Sequence, residues 1–79
     1  MYLVVRAYIL IEMAAGHSRS LVNALMEKEG IQDVVRVTGP YDVIAVLEAK
    51  DVNEASDTVN REIHALEGVV RTTTCASLG

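Results

Sequence analysis

The chain has 79 residues and a formal net charge of −4, and 51% of its residues are hydrophobic although it holds no Trp and no Phe. That length fits a single domain, residues 1–79, whose core is too small for its apolar content, so self-association is expected. Its basic residues are scattered with no two adjacent, which excludes the clustered cationic face that direct nucleic-acid binding needs and leaves open only a stripe built across copies.

Residues 2–11 alternate as a strand, with Leu3, Val5, Ala7, Ile9 and Ile11 on one face and Tyr2, Val4, Arg6, Tyr8 and Leu10 on the other. Both faces are largely apolar, so both are expected to be covered. Arg6 and Glu12 interrupt the run, which is too short for a membrane span and lacks the marks of a signal peptide. Ala14, Ala15 and Gly16 break it. Residues 17–29 then read as a helix, with Leu21 and Leu25 one turn apart and Gly30 at its C-terminal end. Residues 31–38 form a second strand, and Gly39-Pro40-Tyr41-Asp42 a turn with Pro at its second position. Residues 43–49 form a third strand, apolar on both faces up to Glu48. Asp51 is placed to cap the next helix, with Glu54 completing an acidic capping box. That helix is predicted to run to about Glu67, with Ala55, Val59, Ile63 and Leu66 as its core stripe. Gly68 ends it, and residues 69–78 form the last strand.

The order is β-α-β-β-α-β. Glu29-Gly30-Ile31 recurs as Glu67-Gly68-Val69, so each half repeats one strand-helix-strand unit. The expected architecture is α+β and ferredoxin-like: a four-stranded antiparallel sheet with two helices on one face and the first and third strands central. The bare face of such a sheet would be an apolar patch, and pairing with a second copy is the simplest way to cover it.

No catalytic or metal constellation emerges. His17 and His64 lie in different helices without a cysteine or regularly spaced carboxylate, and read as solvated helix residues. Cys75 stands alone, which rules out a disulfide within the chain and fits a cytoplasmic, reducing location; it reads as a small apolar filler. The glycines are dispersed and cradle no phosphate. No cofactor and no metal are expected. The Gly39-to-Asp42 turn stands apart. Tyr and Asp at a hairpin tip serve a turn, but Asp42 also suits an ammonium group, and the hydroxyls of Thr72, Thr73 and Thr74 suit a carboxylate. β-propensity on an edge strand is the simpler account of the threonines.

Val34-x-x-Val37-x-Gly39-x-Tyr41-Asp42, followed by Gly68-Val69-x-x-Thr72-x-Thr74, resembles the effector-binding domain of Lrp/AsnC-type regulators, the regulation-of-amino-acid-metabolism domain. The resemblance runs from about Leu3 to Leu78. It implies dimers joined through their sheets, higher assemblies of those dimers, and an amino acid bound between them by Gly39, Tyr41, Asp42, Thr72 and Thr74. Two departures accompany it. The chain has no room for the N-terminal helix-turn-helix of full-length members, so it looks like a stand-alone form that acts through full-length regulators of the family rather than on DNA. Pro40 also removes one N–H from the loop. The competing expectations are an interaction domain without ligand and a small ferredoxin-like enzyme.

Overall fold

The computed structural model describes residues 4–78; the positions of Tyr2 and Leu3 in the expected first strand lie outside them. The elements are β1 (Val5–Met13), α1 (Ser18–Met26), β2 (Ile31–Arg36), β3 (Val43–Ala49), α2 (Val52–Thr58), a π turn (Val59–Ile63) and β4 (Val69–Ala76). The strands form one antiparallel sheet in the order β2-β3-β1-β4, so β1 and β3 are central. This is the ferredoxin-like α+β arrangement expected from the sequence.

The core follows from strand alternation. Ala7, Ile9, Ile11 and Met13 of β1 and Val43, Ala45, Leu47 and Ala49 of β3 are buried on one face. Leu21 and Leu25 of α1, Ala55 of α2 and Val59 and Ile63 of the π turn close over them. Burying an aliphatic side chain of this size contributes about 1.5–3 kcal/mol. Among the described residues, no buried one is polar or charged.

The opposite face is open. Tyr8 is 37% exposed, Val35 44% and Val4 49%, while Leu10, Ile44 and Val46 are half-buried. Cross-strand ion pairs flank this apolar strip: Arg6 to Glu48 at 3.4 Å and Arg71 to Glu12 at 2.8 Å. A hydrogen bond with Tyr8 first, and the contact with Glu48 second, raise the Arg6 pKa above its ordinary value. Cys75 pairs with Tyr8 across the ladder and is exposed rather than a core filler.

Several boundaries differ from the sequence expectation. β1 continues past Glu12, because that carboxylate is paired with Arg71 and a bulge at Glu12/Met13 carries the strand to Val69. α1 stops at Met26, where the Lys28 amide bonds back three residues to Leu25 at 3.0 Å and tightens the last turn. β2 ends at Arg36, although the Val37 amide still donates to Asp42 at 2.9 Å. β4 ends at Ala76, beyond which the Ser77 amide donates to the Arg6 carbonyl at 2.7 Å. α2 gives way after Thr58 to the π turn. Its buried residues, Ala55, Val59 and Ile63, are spaced four apart. On a helix of 3.6 residues per turn, two such steps drift by about 80°, and the wider turn takes part of that drift back.

The local punctuation matches its sequence signals. The Asp51 side chain accepts from the Glu54 amide at 2.8 Å, and Glu54 reaches back to the Lys50 amide at 3.0 Å. Gly30 and Gly68 both adopt positive φ, +85° and +91°. Each carbonyl accepts from another unit: Gly30 from the Glu48 amide at 3.3 Å, Gly68 from the Ala14 amide at 2.8 Å. The sequence repeat is thus a structural one.

Candidate functional site

The loop between β2 and β3 is closed at its base by the bond from the Val37 amide to the Asp42 carbonyl, and it bends within that closure. Gly39 sits at φ +121°, a conformation open to glycine at little cost. No turn bond closes across Gly39 to Asp42; the Asp42 amide instead donates to the Ile11 carbonyl on β1 at 2.9 Å. The Asp42 carboxylate accepts from the Met13 amide at 2.8 Å. Asp42 therefore straddles the end of the β1–β3 ladder, whose last pair is Ile11 with Val43, and its side chain replaces the missing strand partner of Met13. One carboxylate oxygen is committed to the fold.

Tyr41 reaches further. Its hydroxyl lies 3.1 Å from the Thr73 hydroxyl on β4, so the loop crosses the end of β1 and is tied to the far edge strand. Thr73 pairs with Leu10 and lies on the open face. Thr72 and Thr74 pair with Ile11 and Ile9 and lie on the helix side. Thr72 bonds His64 Nε2 through its hydroxyl at 2.9 Å, and Thr74 is exposed. Val43 and Thr72 flank Ile11 from opposite sides, two strand spacings or roughly 10 Å apart. Within one chain, then, the structure brings Tyr41 to Thr73. It places Asp42 and the two helix-side threonines on opposite sides of β1.

An open depression beside the loop is lined by Ser18, Arg36, Val37, Thr38 and Asp42. Arg36 pairs with Val43, so it lies on the helix side of the sheet. It joins none of the three ion pairs found among the described residues. Here a cation, a carboxylate and two hydroxyls line one hollow. Arg36 and Thr38 occupy unspecified positions of the Val34-x-x-Val37-x-Gly39 pattern, so nothing in that pattern marks them as site residues. Nor does the sequence give His64 a partner or set Thr73 apart from its neighbours. The two-residue period of a strand is the signal that would have separated Thr73 from Thr72 and Thr74. Among the described residues no group of His, Cys, Asp and Glu is arranged to hold a metal ion, and no helix is long and apolar enough to cross a membrane.

The chain matches the family described as the Lrp/AsnC ligand binding domain over residues 6–79. It is similar to TTHA0845 from Thermus thermophilus, with 37% identity, a TM-score of 0.88, and coverage of 95% of this chain and 94% of that one. E. coli AsnC shares the fold at 17% identity and a TM-score of 0.87; 95% of this chain is covered, and it spans 51% of that longer one. The transcriptional regulator NMB0573 of Neisseria meningitidis, solved with L-Met, shares the fold at 16% identity and a TM-score of 0.84, with 95% and 50% covered. Among curated proteins, none matches the chain. The matched family is regulatory rather than enzymatic. A match over nearly the whole length, with a relative above one-third identity across the same span, makes this chain a member of the Lrp/AsnC ligand-binding domain family.

Proposed function

We propose that this chain is an amino-acid-sensing, oligomerising module that works in the cytoplasm and alters transcription through full-length regulators of its family. It is not an enzyme, and it does not bind DNA by itself. The observation that carries the reading is the family match over residues 6–79, with the Gly39-to-Asp42 loop and the Thr72/Thr74 strand inside it. The L-Met bound to NMB0573 supports the ligand class.

The single-chain geometry favours a composite pocket. Asp42 lies on one side of β1 and Thr72 and Thr74 on the other, so a zwitterion is held between copies. Asp42 of one copy faces the ammonium, and Thr72 and Thr74 of another face the carboxylate. Gly39 shapes the loop, and Tyr41, pinned to Thr73, forms the wall. Copies first pair through the open sheet face, and the pairs then assemble into the higher oligomer that contains the pocket.

The test is a thermal-shift screen of the common L-amino acids, run beside light scattering, followed by calorimetry with the best binder on wild type and Asp42→Asn. A charge-assisted hydrogen bond of about 1.5–3 kcal/mol makes the variant bind roughly tenfold to a hundredfold more weakly. Equal affinities remove Asp42 from the pocket. No shift with any amino acid favours an interaction domain without ligand, a reading to which the structural bond from Asp42 to Met13 already lends weight.

A further inference from the structure

The π turn has a consequence at the surface. Its defining bond runs from the His64 amide to the Val59 carbonyl at 3.0 Å, one residue wider than an α-helical bond. Such turns are rare, and they concentrate at functional sites. This one delivers His64 to the edge strand, where Nε2 lies 2.9 Å from the Thr72 hydroxyl. His64 is exposed, and Thr72 is only half-buried. A neutral hydrogen bond in that setting adds little to folding. Its effect falls instead on the hydroxyl, which is otherwise a free rotor.

We infer that His64 is a positioning residue of the effector pocket, fixing the Thr72 hydroxyl as a donor to the carboxylate of a bound amino acid. This rests on the reading that Thr72 faces that carboxylate. A threonine hydroxyl has one hydrogen and two acceptor lone pairs. If His64 Nε2 carries the ring hydrogen, it occupies a lone pair on Oγ1, and the hydroxyl hydrogen is left to point at the ligand. If Nε2 is bare, it consumes that hydrogen and turns lone pairs towards the ligand, which repels a carboxylate. A carboxylate effector therefore selects the Nε2–H form. His64 touches the ligand only through Thr72, and it sharpens the preference for a charged carboxylate over a neutral carboxamide.

The experiment is calorimetry on wild type, His64→Ala and His64→Gln. The probes are the amino acid giving the largest thermal shift in the full L-amino-acid panel and the α-carboxamide of that same amino acid. His64→Ala should weaken amino-acid binding roughly three- to tenfold and leave carboxamide binding nearly unchanged. His64→Gln, whose side-chain N–H reaches a similar position, should recover most of the loss. The melting temperature of the unliganded protein should be the same in all three. If His64→Ala weakens both probes equally or neither, the positioning role is overturned while amino-acid sensing stands. If wild type binds no amino acid in the panel, the sensing reading fails and the His64 role fails with it.

Discussion

At the scale of single residues, Gly68 is tightly enclosed where the two halves meet. Gly68 has a φ of +91°, and a Cβ placed there would come within 2.6 Å of both Cβ and Cγ of His17. Gly16 has a similar φ of +85° but nothing within 4 Å of the same position. The pair separates two costs. Gly16→Ala meets only the left-handed backbone penalty of about 1–2 kcal/mol, whereas Gly68→Ala meets that penalty and a collision. Thermal or urea denaturation should rank Gly68→Ala as clearly the more destabilised. Adding His17→Ala should not relieve the collision, since the colliding Cβ remains; adding His17→Gly should relieve it and leave only the backbone penalty. Gly30 and Gly68 were legible as helix stops from the Glu-Gly-Ile and Glu-Gly-Val repeat, and Gly16 as the break after the first strand. The contact with His17 was not, because it joins residues far apart in sequence, and sequence spacing speaks only of neighbours. The same limit hid the structural duty of Asp42. Its type and its place after Gly39 mark it in the sequence, but its bond to Met13 depends on where β1 ends.

At the scale of elements, the start of α2 is held by side chains and its end by packing. Asp51 satisfies the Glu54 amide, and Glu54 satisfies the Lys50 amide. Asp51→Ala should cost about 1 kcal/mol, read as a lower denaturation midpoint with an unchanged slope. An unaltered midpoint would mean that packing alone starts the helix. The capping signal is local, so it could be read directly. The π turn could not: Ala55, Val59 and Ile63 advertise a helical stripe, but only their packing in the core decides whether four-residue steps are met by a straight or a widened helix. The hairpin loop shows the same divide. Gly39 and Pro40 announce a reversal, yet the Asp42 amide leaves its own hairpin to bond Ile11 because β1 lies beside it.

At the scale of the whole molecule, the two faces of the sheet differ in kind. One is sealed by helices, and the other presents Tyr8, Leu10, Ile44 and Val46 between two ion pairs. That asymmetry was visible in the sequence, because β1 and β3 are apolar on both faces while only two helices are available to cover them. Tyr8 pairs with Val46 on one side and Cys75 on the other. Tyr8→Glu would bury a carboxylate at the centre of any contact made there. Light scattering should report a lower mass for that variant than for wild type, and an unchanged mass would place the contact elsewhere. The strand order also governs how the chain reaches this form. Only β2 and β3 are joined by a short hairpin, a unit of the kind that forms in roughly 1–10 μs. β1 joins β3 and β4 only after long stretches of chain are closed, and its ladder with β4 pairs Ala7 with Ala76, residues from opposite ends of the sequence. That entropy is lost before any contact compensates it, so docking of β1 is the expected slow step, and until it occurs the apolar strands of both halves remain open to strands of other molecules.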